Sequence, residues 1–235
     1  MLAGTGSVIE CAVFAEVPHR RTLFYDGYSM AQIFEIHPDN PQRRLIHQAV
    51  EILRKGGVMI YPTDSAYALG CYIQDKAALQ RIIRIRQLDS RHNFTLVCRD
   101  LSELATYARV NNSHYRLLKA YTPDAYTFIL RATSEVPRLM LNPKRKTIGI
   151  RVPDHPVVSC LLEELDEPLL STTLILPGES EPMADIDEIR NHLGKQVDLI
   201  IDSGFCGLEA TTVVNLVDSV PELVRVGKAD SGPFE

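Results

Sequence analysis

No apolar run in the sequence approaches the roughly 20 residues that a membrane-crossing helix needs, so no transmembrane segment is expected. The N-terminus lacks a basic stretch followed by an apolar core, which argues against secretion. Cysteine is sparse: Cys11, Cys71, Cys98, Cys160 and Cys206 are odd in number, widely spaced and without a C-x-x-C pair. That usage fits free thiols in a reducing, cytoplasmic setting and excludes a disulfide framework or a zinc site. The seven histidines are equally scattered, so no preformed metal cluster is expected. Also missing are G-x-x-x-x-G-K-[ST], G-x-G-x-x-G, G-x-S-x-G and H-E-x-x-H. An enzyme built from this chain would act by polar cradling and charge, without an obvious nucleophile. Internal repeats and low-complexity tracts are absent too.

What remains is a chain of 235 residues, 45% hydrophobic and 23% charged, suited to one globular domain with a proper core. The net charge of −5 does not favour a strongly basic nucleic-acid binder. The distribution is uneven, however. Residues 81–99 hold five arginines against one acid, Asp89, and residues 138–151 hold five basic residues and no acid. Acids collect elsewhere, as in EELDE at 163–167. Segregated arginine suits phosphate binding, and two solvated faces are the plainer alternative.

Residues 1–29 show no sustained periodicity, whereas MAQIFEIHPDN opens a strand and turn at Met30. This reading puts the natural start at Met30 and makes 1–29 an upstream extension, with a loosely ordered arm as the alternative. Leu45, Ile46, Ala49, Val50 and Leu53 share one helical face, stopped by Gly56–Gly57. VMIY follows as a strand, then a helix around Leu79, Ile82 and Ile83. Further strands are expected at 94–98, 126–132, 147–152, 169–175 and 197–202, with helices at 101–108, 112–121, 156–165 and 185–193. TTVVNLV and ELVRVG close the chain as two strands joined by a proline-containing turn. Interleaved elements predict a single α/β (α+β) domain on a twisted mixed sheet, with residues 30–235 forming it.

In YPTDSAYALG (61–70), Pro62 ends ladder pairing, so Thr63–Ser65 fall at the C-terminal end of a strand, where ligands bind open α/β sheets. Thr63, Ser65 and Tyr67 alternate onto one side in an extended chain. A structural turn is the competing reading. Arg84 and Arg86 are two apart and would not share a helical face, but at a helix C-terminus running into a loop they can converge on an anion. Gly149 and Arg151 lie on one face of a strand whose other face is Ile148, Ile150 and Val152, so Arg151 needs a partner. Ser171, Thr172 and Thr173, then Thr211 and Thr212, repeat hydroxyls at strand ends, and Arg225 stands in VRVG. The recurrence favours a phosphate-bearing ligand, although threonine is also simply a good strand former.

Taken in order, YPTDSAYALG, RIRQL with HNFTLV, YTFIL, TIGIRVPDHPV, LLSTTL, ATTVVNL and VRVG resemble the YrdC/YciO family, most closely its YciO branch, from about Met30 to the C-terminus. The resemblance implies a YrdC-like twisted α/β domain with flanking helices and a basic concave surface. It implies L-threonine, bicarbonate and ATP as substrates, joined into threonylcarbamoyl-AMP with release of pyrophosphate, for modification of tRNA. Mg²⁺ would arrive with ATP, held by phosphates and water. By position, Thr63 and Ser65 match residues that hold threonine, and Tyr67, Thr127 and Thr173 complete the substrate-side candidates. Arg84 and Arg86 match the family's K-x-R against the phosphates, as catalytic and nucleotide-binding cations. Arg151, Thr211, Thr212 and Arg225 match positions around the nucleotide. The synthases carry S-x-N where this chain reads Thr173–Leu174–Ile175, and a lost buried amide partner is worth roughly 1–3 kcal/mol. The alternative function is a non-catalytic protein of the same fold that binds double-stranded RNA or tRNA.

Overall fold

The computed structural model describes residues 30–89, 92, 94–141, 144–218 and 220–235; the expectation for residues 1–29 lies outside the described residues. The chain runs β1 (Gln32–Glu35), α1 (Arg43–Arg54), β2 (Val58–Tyr61), β3 (Ala68–Tyr72), α2 (Lys76–Arg86), β4 (Thr95–Val97), α3 (Leu101–Tyr107), α4 (Asn112–Ala120), β5 (Tyr126–Arg131), β6 (Thr147–Arg151), α5 (Pro156–Leu165), β7 (Leu169–Thr173), α6 (Ile186–Leu193), β8 (Leu199–Asp202), β9 (Thr212–Asn215) and β10 (Glu222–Arg225). Short 3₁₀ turns occur at Arg138–Met140 and Gly232–Phe234. No helix among the described residues is long and apolar enough to cross a membrane.

Helix boundaries follow local chemistry. Asp75, Asp100, Asn111 and Asp185 accept a hydrogen bond from a backbone amide of the first turn of α2, α3, α4 and α6 respectively, which satisfies donors the helix itself cannot. Pro156 opens α5, where a missing amide hydrogen costs nothing. Gln87 in the left-handed region closes α2.

Ten strands form one mixed sheet in the order β1-β8-β2-β3-β7-β4-β6-β5-β9-β10. Its parallel pairs are β1/β8, β2/β8, β4/β6 and β5/β9. The strand at Ala68–Tyr72 is a finding that sequence reading missed: YPTDSAYALG is an antiparallel hairpin of β2 and β3, with the polar residues in its turn.

Alternation splits the buried residues into two clusters. Val58, Ile60, Leu69, Leu96, Phe128, Ile150 and Ile200 face α2, α3, α4 and α6. Met59, Tyr61, Ala68, Val97, Leu169, Leu199 and Ile201 face the other way, under α1 and α5, which bury Ile46, Val50, Leu53, Val158, Leu161 and Leu162 against them. Burying each such large side chain contributes about 1.5–3 kcal/mol relative to exposure. On this second face the helical cover stops at β4. Thr95 of β4, and Thr127, Ile129, Gly149, Arg151 and Val213 beyond it, lie outside that cluster and line a cavity instead.

Candidate functional site

The cavity has a volume of about 400 Å³, within the range of small-molecule sites. Sheet register builds its floor. Gly70 pairs with Ser171, Ser171 with Thr95, Thr95 with Gly149 and Gly149 with Ile129, a single rank across five strands. A Cβ at Gly149 would lie 2.9 Å from Thr95 Oγ1 and 3.1 Å from Thr127 Cγ2, so glycine alone leaves the floor hollow there.

The β2–β3 turn forms one wall. Thr63 Oγ1 donates to the Ala66 carbonyl at 2.6 Å and accepts from the amides of Ser65 and Ala66 at 3.2 and 3.3 Å. The threonine therefore folds the turn, as short hydroxyl side chains do, and its hydroxyl is spent on the backbone. Ser65 is the freer group: its Oγ lies 3.0 Å from Thr63 Oγ1 and accepts from Arg151 Nη1 at 3.4 Å. The structural-turn and ligand-wall readings are thus divided between the two residues.

Arg151 sits at the end of β6, 6% exposed. Its Nη2 forms an ion pair with Asp64 Oδ1, and Asp64 Oδ2 accepts from the Asp154 amide at 3.0 Å. Arg151 Nε is buried and has no partner. Such a donor is costly to leave unmade; the Arg151 side chain as a whole borders the cavity. Opposite stand Thr127 and Thr211, whose Oγ1 atoms are 2.8 Å apart. Arg225 Nε and Nη2 donate to the Thr211 carbonyl at 3.0 and 2.7 Å, and Nη2 reaches Thr211 Oγ1 at 3.1 Å. Burial, reinforced by the positive charge of Arg151, lowers the Arg225 pKa. Two cations held this close would gain from an anion between them.

Thr63, Ser65, Tyr67, Thr127, Thr173, Arg151, Thr211 and Arg225 all line the one cavity. Three expectations need correction. Thr212 points to the opposite side of β9, donating to the Ala229 carbonyl at 2.6 Å, because neighbouring strand residues face apart. Arg84 and Arg86 do not converge, because α2 continues through Arg86 and separates them around its axis. Arg84 is exposed, with its Nε on the Gln80 carbonyl, whereas Arg86 is half-buried with an unpartnered buried Nε. Tyr67 contributes ring surface only, since its hydroxyl donates to the Gly204 carbonyl at 2.7 Å. Ile175 likewise does not line the cavity.

Two described arginines of the basic segment at 81–99 are spent on carboxylates. Arg81 pairs with Asp198 at 2.8 Å and Arg99 with Asp166 at 2.9 Å. Among the described residues, the cations that line the cavity are Arg151 and Arg225.

Sequence reading missed His92, a cavity residue whose Nε2 lies 3.4 Å from Thr172 Oγ1 and whose ring meets Phe94 edge-on at 5.2 Å. Burial, then the nearby Arg86 charge, pushes its pKa down. Lys228, whose ammonium donates to the Asp64 carbonyl, was missed too. A single histidine in a loop and a lysine past a strand carry no pattern that spacing could reveal. Tyr61 is the third: its hydroxyl donates to Ser171 Oγ at 2.8 Å, and burial pushes its pKa up to about 12. Among the described residues no group of three or more metal-ligating side chains occurs.

Comparison with known proteins agrees with this architecture. A model of the Sua5, YciO and YrdC family, described as telomere recombination, matches residues 51–227. The uncharacterized protein YciO of Escherichia coli is 60% identical over 205 residues, covering 87% of this chain and all of the relative. Its crystal structure superposes with a TM-score of 0.85 over 88% of this chain and 100% of that one. A threonylcarbamoyl-AMP synthase of Vibrio vulnificus is 30% identical over 66% of this chain and 84% of its own length. The P. abyssi Sua5 structure complexed with L-threonine matches in fold, with a TM-score of 0.77 at 22% identity over 84% of this chain and 58% of that one.

Proposed function

The chain belongs to the Sua5, YciO and YrdC family, is related to the threonylcarbamoyl-AMP synthases, and from that premise we propose that it binds L-threonine and ATP and forms threonylcarbamoyl-adenylate, feeding modification of tRNA. Arg151 carries the reading. A guanidinium that is 6% exposed on the cavity wall, paired with Asp64 and electrostatically coupled to a second cation, Arg225, favours an anionic ligand, and a carboxylate or phosphate oxygen meets that charge at charge-assisted strength. Ser65 beside it, and the Thr127–Thr211 pair opposite, offer neutral hydrogen bonds to an amino acid's remaining polar groups. The relative complexed with L-threonine supports the choice of amino acid.

The chemistry suits such a site. Threonine's amine and bicarbonate give a carbamate and water. A carbamate oxygen then attacks the α-phosphorus of ATP, the new O–P bond forms, and the bond to the β-phosphate oxygen breaks to release pyrophosphate. This step demands charge neutralisation and in-line placement more than a side-chain base. Arg151 and Arg225 supply fixed positive charge on the cavity wall, and the Arg86 charge is felt by His92, which also lines it. Mg²⁺ enters with the triphosphate as part of the substrate. Low exposure of the polar wall helps a water-labile carbamate survive.

The test is pyrophosphate release from ATP, measured with and without threonine and bicarbonate. Release that requires both is the expected result. Absence of threonine-dependent release together with no calorimetric binding of either ATP or threonine would overturn the proposal.

A further inference from the structure

On the far side of the 204–208 loop, which packs behind the pocket residues Ser65 and Tyr67, lies a second concavity, of about 730 Å³. Its apolar lining comes from Leu176, Pro182, Met183 and Ile186, facing Phe205 and Leu208. Phe205 is 75% exposed and Leu208 is 47% exposed. Two large apolar side chains left in water beside an apolar groove mark a surface for interaction.

The rim has one sign of charge. Glu179, Glu181, Asp185 and Glu188 line it, with no lysine or arginine among the lining residues. Two of these acids have a local explanation: Asp185 caps α6 by accepting from the Glu188 amide, and both sit where the helix dipole favours carboxylates. Glu179 and Glu181 precede the helix and serve no such purpose. Four carboxylates repel nucleic-acid phosphates and anionic lipid headgroups alike. They complement cationic peptide, and the apolar floor complements the other face of an amphipathic segment.

We propose that this groove docks a basic amphipathic segment of a partner protein, with apolar anchors on Phe205, Leu208 and Met183 and cations at Glu179, Glu181, Asp185 and Glu188. The placement has a consequence for the first site. Phe205 and Leu208 belong to the loop whose opposite side meets the pocket: Tyr67 donates to the Gly204 carbonyl, and a Cβ on Gly207, held at φ +113°, would come within 2.4 Å of the Ser65 carbonyl oxygen. A docked partner therefore stands one loop away from the pocket wall.

Fluorescence anisotropy of the full chain tests this, using a labelled helical peptide with Leu and Phe at i, i+3, i+4 and i+7 and Lys or Arg elsewhere. Saturable binding is expected, weakened about tenfold by Phe205→Ser and by Glu181→Lys with Glu188→Lys, and weakened again by raising salt from about 50 to about 300 mM. A matched peptide bearing Glu in place of the cations should not bind. Circular dichroism melts confirm that the variants stay folded. The proposal is overturned by a lack of saturable binding, or by binding that ignores these substitutions. It is overturned equally if the acidic peptide binds as well, or if a tRNA titration responds to the same substitutions instead.

Discussion

One face of one sheet behaves in two ways. Under α1 and α5, the inward positions of β2, β8 and β7 are Met59, Tyr61, Leu199, Ile201 and Leu169. From the second half of β7 and from β4 onward, the same alternation presents Ser171, Thr173, Thr95, Thr127, Gly149, Arg151 and Thr211. Strand length and pairing continue unbroken across the boundary. Only the side-chain chemistry changes, and it changes where helical cover ends. Polar residues at positions of core parity thus coincide with the cavity, because water or another polar group must satisfy what no helix covers.

The Arg151–Asp64 pair stands at the boundary, and breaking it should have the largest effect. Arg151→Met leaves a carboxylate that is 10% exposed without its cation, costing about 3–5 kcal/mol in denaturant unfolding. Adding Asp64→Asn should return most of that stability while leaving ligand binding abolished. Binding that returned with stability would make Arg151 a purely structural residue.

Next comes a direct contrast of the halves. Leu161→Ala in the covered half should cost about 2–5 kcal/mol through lost transfer energy and a cavity, with ligand affinity per folded molecule unchanged. Thr127→Val in the open half should cost under about 1.5 kcal/mol yet weaken threonine or ATP binding several-fold by calorimetry. Equal losses of stability at the two sites would erase the distinction.

The smallest effect is in pH. Burial lowers the pKa of both His92 and His155 from the ordinary 6.5. The unfolded chain therefore takes up protons first as pH falls, so stability is present above about pH 6.5 and drains away below it. Urea midpoints should decline on acidification, and His92→Gln should flatten part of that slope. An unchanged slope would remove His92 as a contributor.

Element by element, the legible parts were those whose period speaks locally. Helix α5 was read at its observed bounds, from Pro156 to Leu165, because proline and apolar spacing both act within one turn. Strand β3 was not, since its ALGCY lacks bulky β-branched residues. Its Gly70 is explained only by the Tyr61 ring, which would lie 2.7 Å from a Cβ there. Thr211 and Thr212 looked equivalent as letters and were parted by strand pleat. Arg84 and Arg86 looked like a pair and were parted by a helix that did not end between them.

Sequence alone therefore determined the fold class, the succession of elements apart from β3, and eight of the side chains that meet in the pocket, because hydrophobic period, caps and turn residues operate over a few bonds. Tertiary structure decided which of those side chains face the cavity and which serve the backbone. It also decided where helical cover stops, that His92 lines the cavity while Lys228 ties to the Asp64 carbonyl beside it, and that an acidic apolar groove lies behind the loop that backs the pocket wall. Those outcomes depend on register between strands and on helices packing from distant parts of the chain. Contacts of that range leave no period in the sequence to read.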